Sequence, residues 1–156
     1  MSETPGVVFD CVILLQAAAR QKSAAANCLD LAEKGLVQLF VSRETLVEIE
    51  DVLGRSEVRA CFPDLSDEIA EAFLKRLQTF ATLIRNVPER FSYPRDKDDE
   101  PYINLAIEVR ARFLVTRDKD LLDLMRGYAD ECKEFRQRFR TLRVIKPEAL
   151  LNEITS

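Results

Sequence analysis

"GVVFDCVILL", residues 6–15, is the stretch on which the fold of this chain turns. It is an apolar, β-branched run with a single acid, Asp10, in its middle. Such a run reads as a strand buried on both faces, the mark of a parallel sheet. The expectation is one strand across 6–15 with Asp10 inside it. A carboxylate there must be paired or neutralised, because burying it alone is costly. Packing alone does not explain Asp10.

Outward from this strand, helical and strand patterns alternate. A helix is expected over 23–35 with Gly35 as its stop, then a strand over 36–42. Ser42 suits the cap of a helix that ends at Gly54, and Ser66 the cap of another over 66–84. Residues 85–99 are polar, contain two prolines and read as a loop. Helical periodicity follows over 100–111, with Pro101 in the first turn, where proline is tolerated. "RFLVT", 112–116, reads as a buried strand and 119–127 as a helix. A last strand, 141–147, leads into a closing helix that begins "PEALLNEI". No internal repeat or low-complexity tract is present.

This alternation predicts an α/β fold with a mostly parallel sheet covered on both faces. The 156 residues suit a single domain, 1–156. In such sheets the functional crevice lies outside the carboxyl ends of the strands. Asp10 lies on the first strand, and Asp118 follows "RFLVT". Asp99 starts the helix leading into that strand, and Glu48 lies on the helix after the second strand. These four acids can converge on one crevice.

Each acid also has a plainer explanation. Asp99 and Asp118 could cap the helices that follow them. Glu48 and Glu50 flank the apolar stripe of Leu46, Ile49 and Leu53, and periodicity does not choose between them. Gathering changes the balance. Two carboxylates about 4 Å apart repel by roughly 4 kcal/mol at an effective dielectric of 20. A divalent cation with oxygen ligands offsets that repulsion, and Mg²⁺ and Mn²⁺ are the natural choices.

Composition narrows the chemistry further. The chain has no histidine, which removes Ser-His-Asp and Cys-His catalysis. Its four cysteines show no C-x-x-C spacing, so a thiolate zinc site is not expected, and they read as reduced, mostly buried thiols. No apolar run approaches the ~20 residues that span a bilayer. The N-terminal residues lack the pattern of a signal peptide. A soluble, cytoplasmic protein without a membrane partner is expected. The net charge of −4 is unevenly spread: "KEFRQRFRTLRVIK", 133–146, carries six basic residues against one acidic. It reads either as a solvated helix face or as a phosphate contact through Arg136, Arg138 and Arg140.

Several segments in order carry a resemblance. "VVFDCVILL" resembles an opening strand of the form hydrophobic–Asp–Thr–Asn–hydrophobic. "SRETLVEIEDVL" resembles Ser…Glu-Leu-x-x-Val-Leu and selects Glu48 over Glu50. "RDKDDEPYINLAIE" resembles Arg-Asp-x-x-Asp-x-x-aromatic-Leu-x-Leu-Ala and selects Asp96 and Asp99. "FLVTRDKDLLDL" resembles Leu-Val-Thr-x-Asp-x-Asp-Leu-Leu, with Asp118 and Asp120. "RVIKPEALL" resembles a closing strand and helix. Together they resemble the PIN-domain ribonucleases, of the branch that forms toxin components of bacterial toxin–antitoxin pairs.

The resemblance implies a three-layer α/β/α sandwich and cleavage of single-stranded RNA by a metal-activated water. It implies Mg²⁺ or Mn²⁺ held by Asp10, Glu48, Asp99 and Asp118, with Asp120 a further acid of the site; Asp96 and Arg95 lie in the matching motif without a settled role. A small antitoxin is the implied protein partner, and a homodimer is compatible with it. One departure stands out: the usual Asp-Thr-Asn reads Asp10-Cys11-Val12, so the polar groups that would orient the ligands are gone. Two other readings compete. One is a PIN-like module that binds RNA or protein without cleaving. The other is a phospho-accepting receiver domain, which Asp10 opposes because it has no adjacent acidic partner.

Overall fold

In the computed structural model, which describes residues 4–155, the run 6–15 is split in two at Asp10. Strand β1 (Gly6–Phe9) stops there and helix α1 (Cys11–Ala19) starts, so the single strand expected over 6–15 is corrected to a strand and a helix. Periodicity misleads here because α1 is itself apolar and packed between the sheet and other helices. A buried helix and a buried strand are both continuous apolar runs. Asp10 is the break: its extended backbone and side chain cap α1 through the Ile13 N–H.

The same device recurs. β2 (Gln38–Ser42) ends in Ser42, which caps α3 (Arg43–Gly54) in a reciprocal pair with Thr45. β4 (Phe113–Val115) runs through Thr116 and Arg117 to Asp118, which caps the short α7 (Lys119–Leu122). Between these lie α2 (Ala24–Glu33), α4 (Ser56–Cys61), α5 (Asp67–Phe80), β3 (Thr82–Ile84) and α6 (Glu100–Glu108). After α7 come a 3-10 turn (Asp123–Met125), α8 (Asp130–Arg138), β5 (Arg143–Ile145) and α9 (Pro147–Thr155). The helix expected over 66–84 thus gives way to an edge strand at Thr82. The helix expected over 119–127 ends early, and the polar loop holds a 3-10 turn, Pro94–Asp99.

The five strands form one all-parallel sheet in the order β3-β2-β1-β4-β5. β1 and β4 pair with Val7 beside Phe113 and Phe9 beside Val115. Side chains alternate between the two faces. Val7, Phe9, Phe113, Val115 and Ile145 join the core under α1, α2, α3, α5 and α9. Val8, Leu114 and Val144 join the core under α6, α7 and α8. The result is the expected three-layer α/β/α sandwich. Cys28 and Cys132 are buried, Cys11 is half-buried and Cys61 exposed, all as free thiols. No helix among the described residues is long and apolar enough to cross a membrane.

The segment after α7 is tightly closed. The Gly127 N–H bonds to the Asp123 carbonyl, and a β-carbon on Gly127 would lie 2.7 Å from that oxygen and 2.9 Å from Cys132 Sγ. Backbone and a buried thiol cannot both retreat. Gly127→Ala should therefore lower stability by about 1–3 kcal/mol, read as a drop in the urea midpoint.

Candidate metal centre

The strand order reverses at β1 and β4, and the acids gather at the carboxyl ends of these two strands. Asp10 is 1% exposed. Its Oδ1 accepts the Ile13 N–H at 3.0 Å, and its Oδ2 accepts the Thr116 hydroxyl. Burial pushes its pKa up to about 6 against the pull of those two bonds, helped by the nearby charges of Asp118 and Glu48. Thr116 in turn accepts the Asp118 N–H at 2.9 Å. The hydroxyl thus links the end of β1 to the start of α7.

Asp118 spends one oxygen on the Asp120 N–H, 3.0 Å away, so the capping reading of this residue holds. It also has a second association. Carboxylate oxygens of Asp96, Asp99 and Asp118 all lie within 4.8 Å of one another. Asp99 begins α6, yet its side chain makes no capping bond, which leaves it to this cluster. Asp96 sits at a non-helical kink in the 3-10 turn, φ −146° and ψ 68°. Its Oδ2 is buried without a hydrogen-bond partner among the described residues. Burial drives the pKa of Asp99 well up, reinforced by its contacts with Asp118 and Asp96. Asp96 is raised to about 6, again first by burial. At Asp118 burial also pushes upward, but hydrogen bonds from Asp96 and Asp99 outweigh it and hold that carboxyl below its usual range.

Without a cation, the three carboxyls lower their repulsion by sharing protons. A small hard cation does the same by accepting oxygen ligands, and it would satisfy the orphaned Asp96 oxygen. The donor set is all oxygen, which suits Mg²⁺ or Mn²⁺ and not a thiophilic metal.

The remaining expected residues fall at different distances from this triad. Asp10 and Glu48 are not members of it, although the charge of Asp10 acts on Asp99 and Glu48 acts on Asp10. Of the two glutamates that flank the apolar stripe of α3, Glu48 is partly buried and Glu50 exposed. Glu48 Oε1 accepts the hydroxyl of Tyr102, a residue 1% exposed. Burial followed by the Glu48 charge pushes the neighbouring Cys11 thiol up to about 12. Asp120 is ion-paired: Arg95 Nε donates to its Oδ1 at 2.8 Å, and the same guanidinium holds Asp123. Asp96, Thr116 and Tyr102 complete the site. The first was visible only through its motif. The other two are neutral hydroxyls that a reading centred on acids passes over.

The arginines of 133–146 lie apart from these acids. Arg136 donates to the carbonyls of Leu124 and Gly127, at 3.0 and 2.9 Å. Arg138 holds Glu134 and the Arg90 carbonyl, and Arg140 reaches only the Gln137 carbonyl at 3.4 Å. α8 leads into the amino end of β5, so Arg138 and Arg140 lie at the edge of the sheet opposite the acids.

Two outcomes follow. Saturating Mn²⁺ should raise the stability of the wild type by about 2.7 kcal/mol at a hundredfold excess over Kd. Asp99→Asn should remove most of that gain, as measured by thermal melts with and without chelator. The second concerns pH. The folded chain holds the Asp10 proton more tightly than the unfolded chain, whose carboxyl titrates near 3.8. This stability is full below that value and is lost as pH rises through about 6. The loss amounts to ~3 kcal/mol. In chelator the urea midpoint should fall between about pH 4 and pH 6.5, and Asp10→Asn should remove that part of the fall.

No curated protein matches this sequence. Residues 6–120, which include every acid of the site, match the family described as PIN domain. PIN domains are generally metal-dependent nucleases, and their fold is the one observed here. This chain belongs to the PIN-domain family.

Proposed function

We propose that the protein is a metal-dependent endoribonuclease acting on single-stranded RNA, and that it serves as the toxin half of a toxin–antitoxin pair with a small antitoxin protein. One observation carries the reading: Asp96, Asp99 and Asp118 meet within 4.8 Å, and the Oδ2 of Asp96 is buried without a partner. The family supports the nuclease chemistry, and the absence of histidine leaves oxygen-held metal as its natural source.

When bound there, Mg²⁺ or Mn²⁺ would lower the pKa of a water and neutralise phosphate charge. The chain does the rest. Asp96, Asp99 and Asp118 would hold the cation. Thr116 fixes the Asp118 backbone and the Asp10 carboxylate together, so both face the crevice from adjacent strand ends. Asp10, buried with both oxygens hydrogen-bonded, adds a fixed carboxylate beside the cluster. Tyr102 orients Glu48 on the α3 side of the crevice. Arg95 occupies Asp120 and Asp123, which keeps the local negative charge from growing further.

A second reading, a PIN-like module that binds RNA or protein with little cleavage, is favoured by one feature. Cys11 and Val12 replace the threonine and asparagine of the family pattern. Val12 is 47% exposed at the first turn of α1, an apolar side chain where an amide is usual.

Cleavage of single-stranded RNA separates the two. Wild type with Mg²⁺ or Mn²⁺ should cleave, and chelator should stop it. Asp118→Asn should lower the rate by at least about a hundredfold while the melting temperature holds, because asparagine caps about as well as aspartate. Expression of wild type in bacteria should arrest growth, and expression of the variant should not. Cleavage unchanged by chelator or by the substitution would defeat the metal reading. If only the Cys11→Thr, Val12→Asn double variant cleaves, the binding-module reading prevails for the natural chain.

A further inference from the structure

The amino edge of the sheet carries six arginines: Arg90, Arg110, Arg112, Arg138, Arg140 and Arg143. Three are neutralised. Arg90 pairs with Glu108 at 2.8 Å, Arg138 with Glu134 at 2.9 Å and Arg143 with Glu153 at 2.7 Å. Arg110, Arg112 and Arg140 are exposed and have no carboxylate partner among the described residues. In a chain of net charge −4 this is a local excess of positive charge.

The excess lines two adjoining grooves. The first, about 610 Å³, is bordered by Arg110, Arg112 and the ring of Phe40. The second, about 480 Å³, is bordered by Arg110, Arg138, Arg140 and the ring of Phe139. Arg110 belongs to both. The first groove joins arginines to the half-buried ring of Phe40, and in the second the Arg138 guanidinium stacks over the Phe139 ring, 4.9 Å from its centroid, as a cation–ring platform. That is the chemistry of single-stranded nucleic acid binding, in which cations follow the phosphates and rings accept base faces. An acidic peptide would use the cations and leave the rings idle.

Arg110 adds an independent sign. It closes α6 at φ 53°, with its N–H on the Ile107 carbonyl and the Ala111 N–H on the Ala106 carbonyl. This is a Schellman closure, whose left-handed position normally takes glycine. The fold does not ask for arginine there, and strain of this kind gathers at functional positions.

We infer that the two grooves at the amino edge of the sheet form a second RNA-binding surface, which holds a length of the strand remote from the cleavage crevice. The inference rests on the ribonuclease reading. It also accounts for how a polyanion stays on a chain whose crevice is acidic.

The test measures binding of a labelled single-stranded RNA, long enough to pass from crevice to grooves, across a salt series. Asp118→Asn in chelator serves as the cleavage-silent background. Adding Arg110→Gly, Arg112→Gln and Arg140→Gln should weaken binding at least about tenfold. It should also lower the salt slope by roughly 2, because each phosphate that an arginine no longer neutralises takes about 0.7 from it. Arg110→Gly alone should weaken binding while the melting temperature stays level or rises, an outcome that a structural role would not produce. Equal affinity and slope in background and triple variant would overturn the second surface and leave the ribonuclease reading standing. No RNA binding by the background, with binding of polyglutamate instead, would overturn both.

Discussion

The hydrogen bond from Thr116 to Asp10 is the interaction on which this molecule depends. It joins two strands that are adjacent in the sheet and 106 residues apart in the chain. Asp10 spends its other oxygen on the first turn of α1, and Thr116 spends its other capacity on the Asp118 N–H. One buried pair thus sets where β1 ends, where α1 begins and where the loop after β4 turns. Without the threonine hydroxyl, Asp10 would lose half of its compensation for burial, and its proton would be held still more firmly. Fold and site share a single polar contact, so neither can drift without the other.

That sharing explains which parts of the molecule were legible in its sequence. Four of the sheet's five strands were, because short apolar runs such as "RFLVT" and "LVQLF" are bounded by polar segments that end them. The ends of elements were not. Asp10 divides an apolar run whose two halves look alike, since α1 is buried nearly all round. Thr82–Ile84 is short and partly exposed at the sheet edge, so nothing in its three residues separates it from α5. Among the site acids, Asp118 and Asp99 were placed by their distance from a strand or helix start. Asp96 was not, because its role depends on a backbone kink that no propensity encodes. Nor could spacing show that Arg95 pairs with Asp120, since the contact joins residues 25 apart.

The basic stretch 133–146 teaches the same lesson about charge. Six cations in fourteen residues look like one surface when written in a line. On α8 and the loop beyond it they take different duties. Arg136 satisfies two carbonyls of a turn, Arg138 divides itself between Glu134 and the Arg90 backbone, and Arg140 stays nearly free. Counting charges in sequence measures supply. Only the partners show what remains available to a ligand.

The two charged regions lie at opposite edges of one sheet, and the helices account for that arrangement. In a parallel α/β sheet the helices run back against the strands, so their N-termini meet the carboxyl edge and their C-termini the amino edge. Partial positive charge at the first edge favours carboxylates, and partial negative charge at the second favours arginines. α6 shows both effects within nine residues: Asp99 and Glu100 stand at its start and Arg110 just past its end. α8 repeats the pattern, with Asp130 and Glu131 in its first turn and Arg136 and Arg138 in its last. The macrodipole stabilises each such charge by only ~0.3–1 kcal/mol, too little to offset the repulsion inside the Asp96, Asp99 and Asp118 cluster. It biases where acids and bases settle, while protons or a cation must balance the cluster itself. The polarity of the fold therefore sorts the charges, and the excess left at each edge is what a ligand of opposite sign can use.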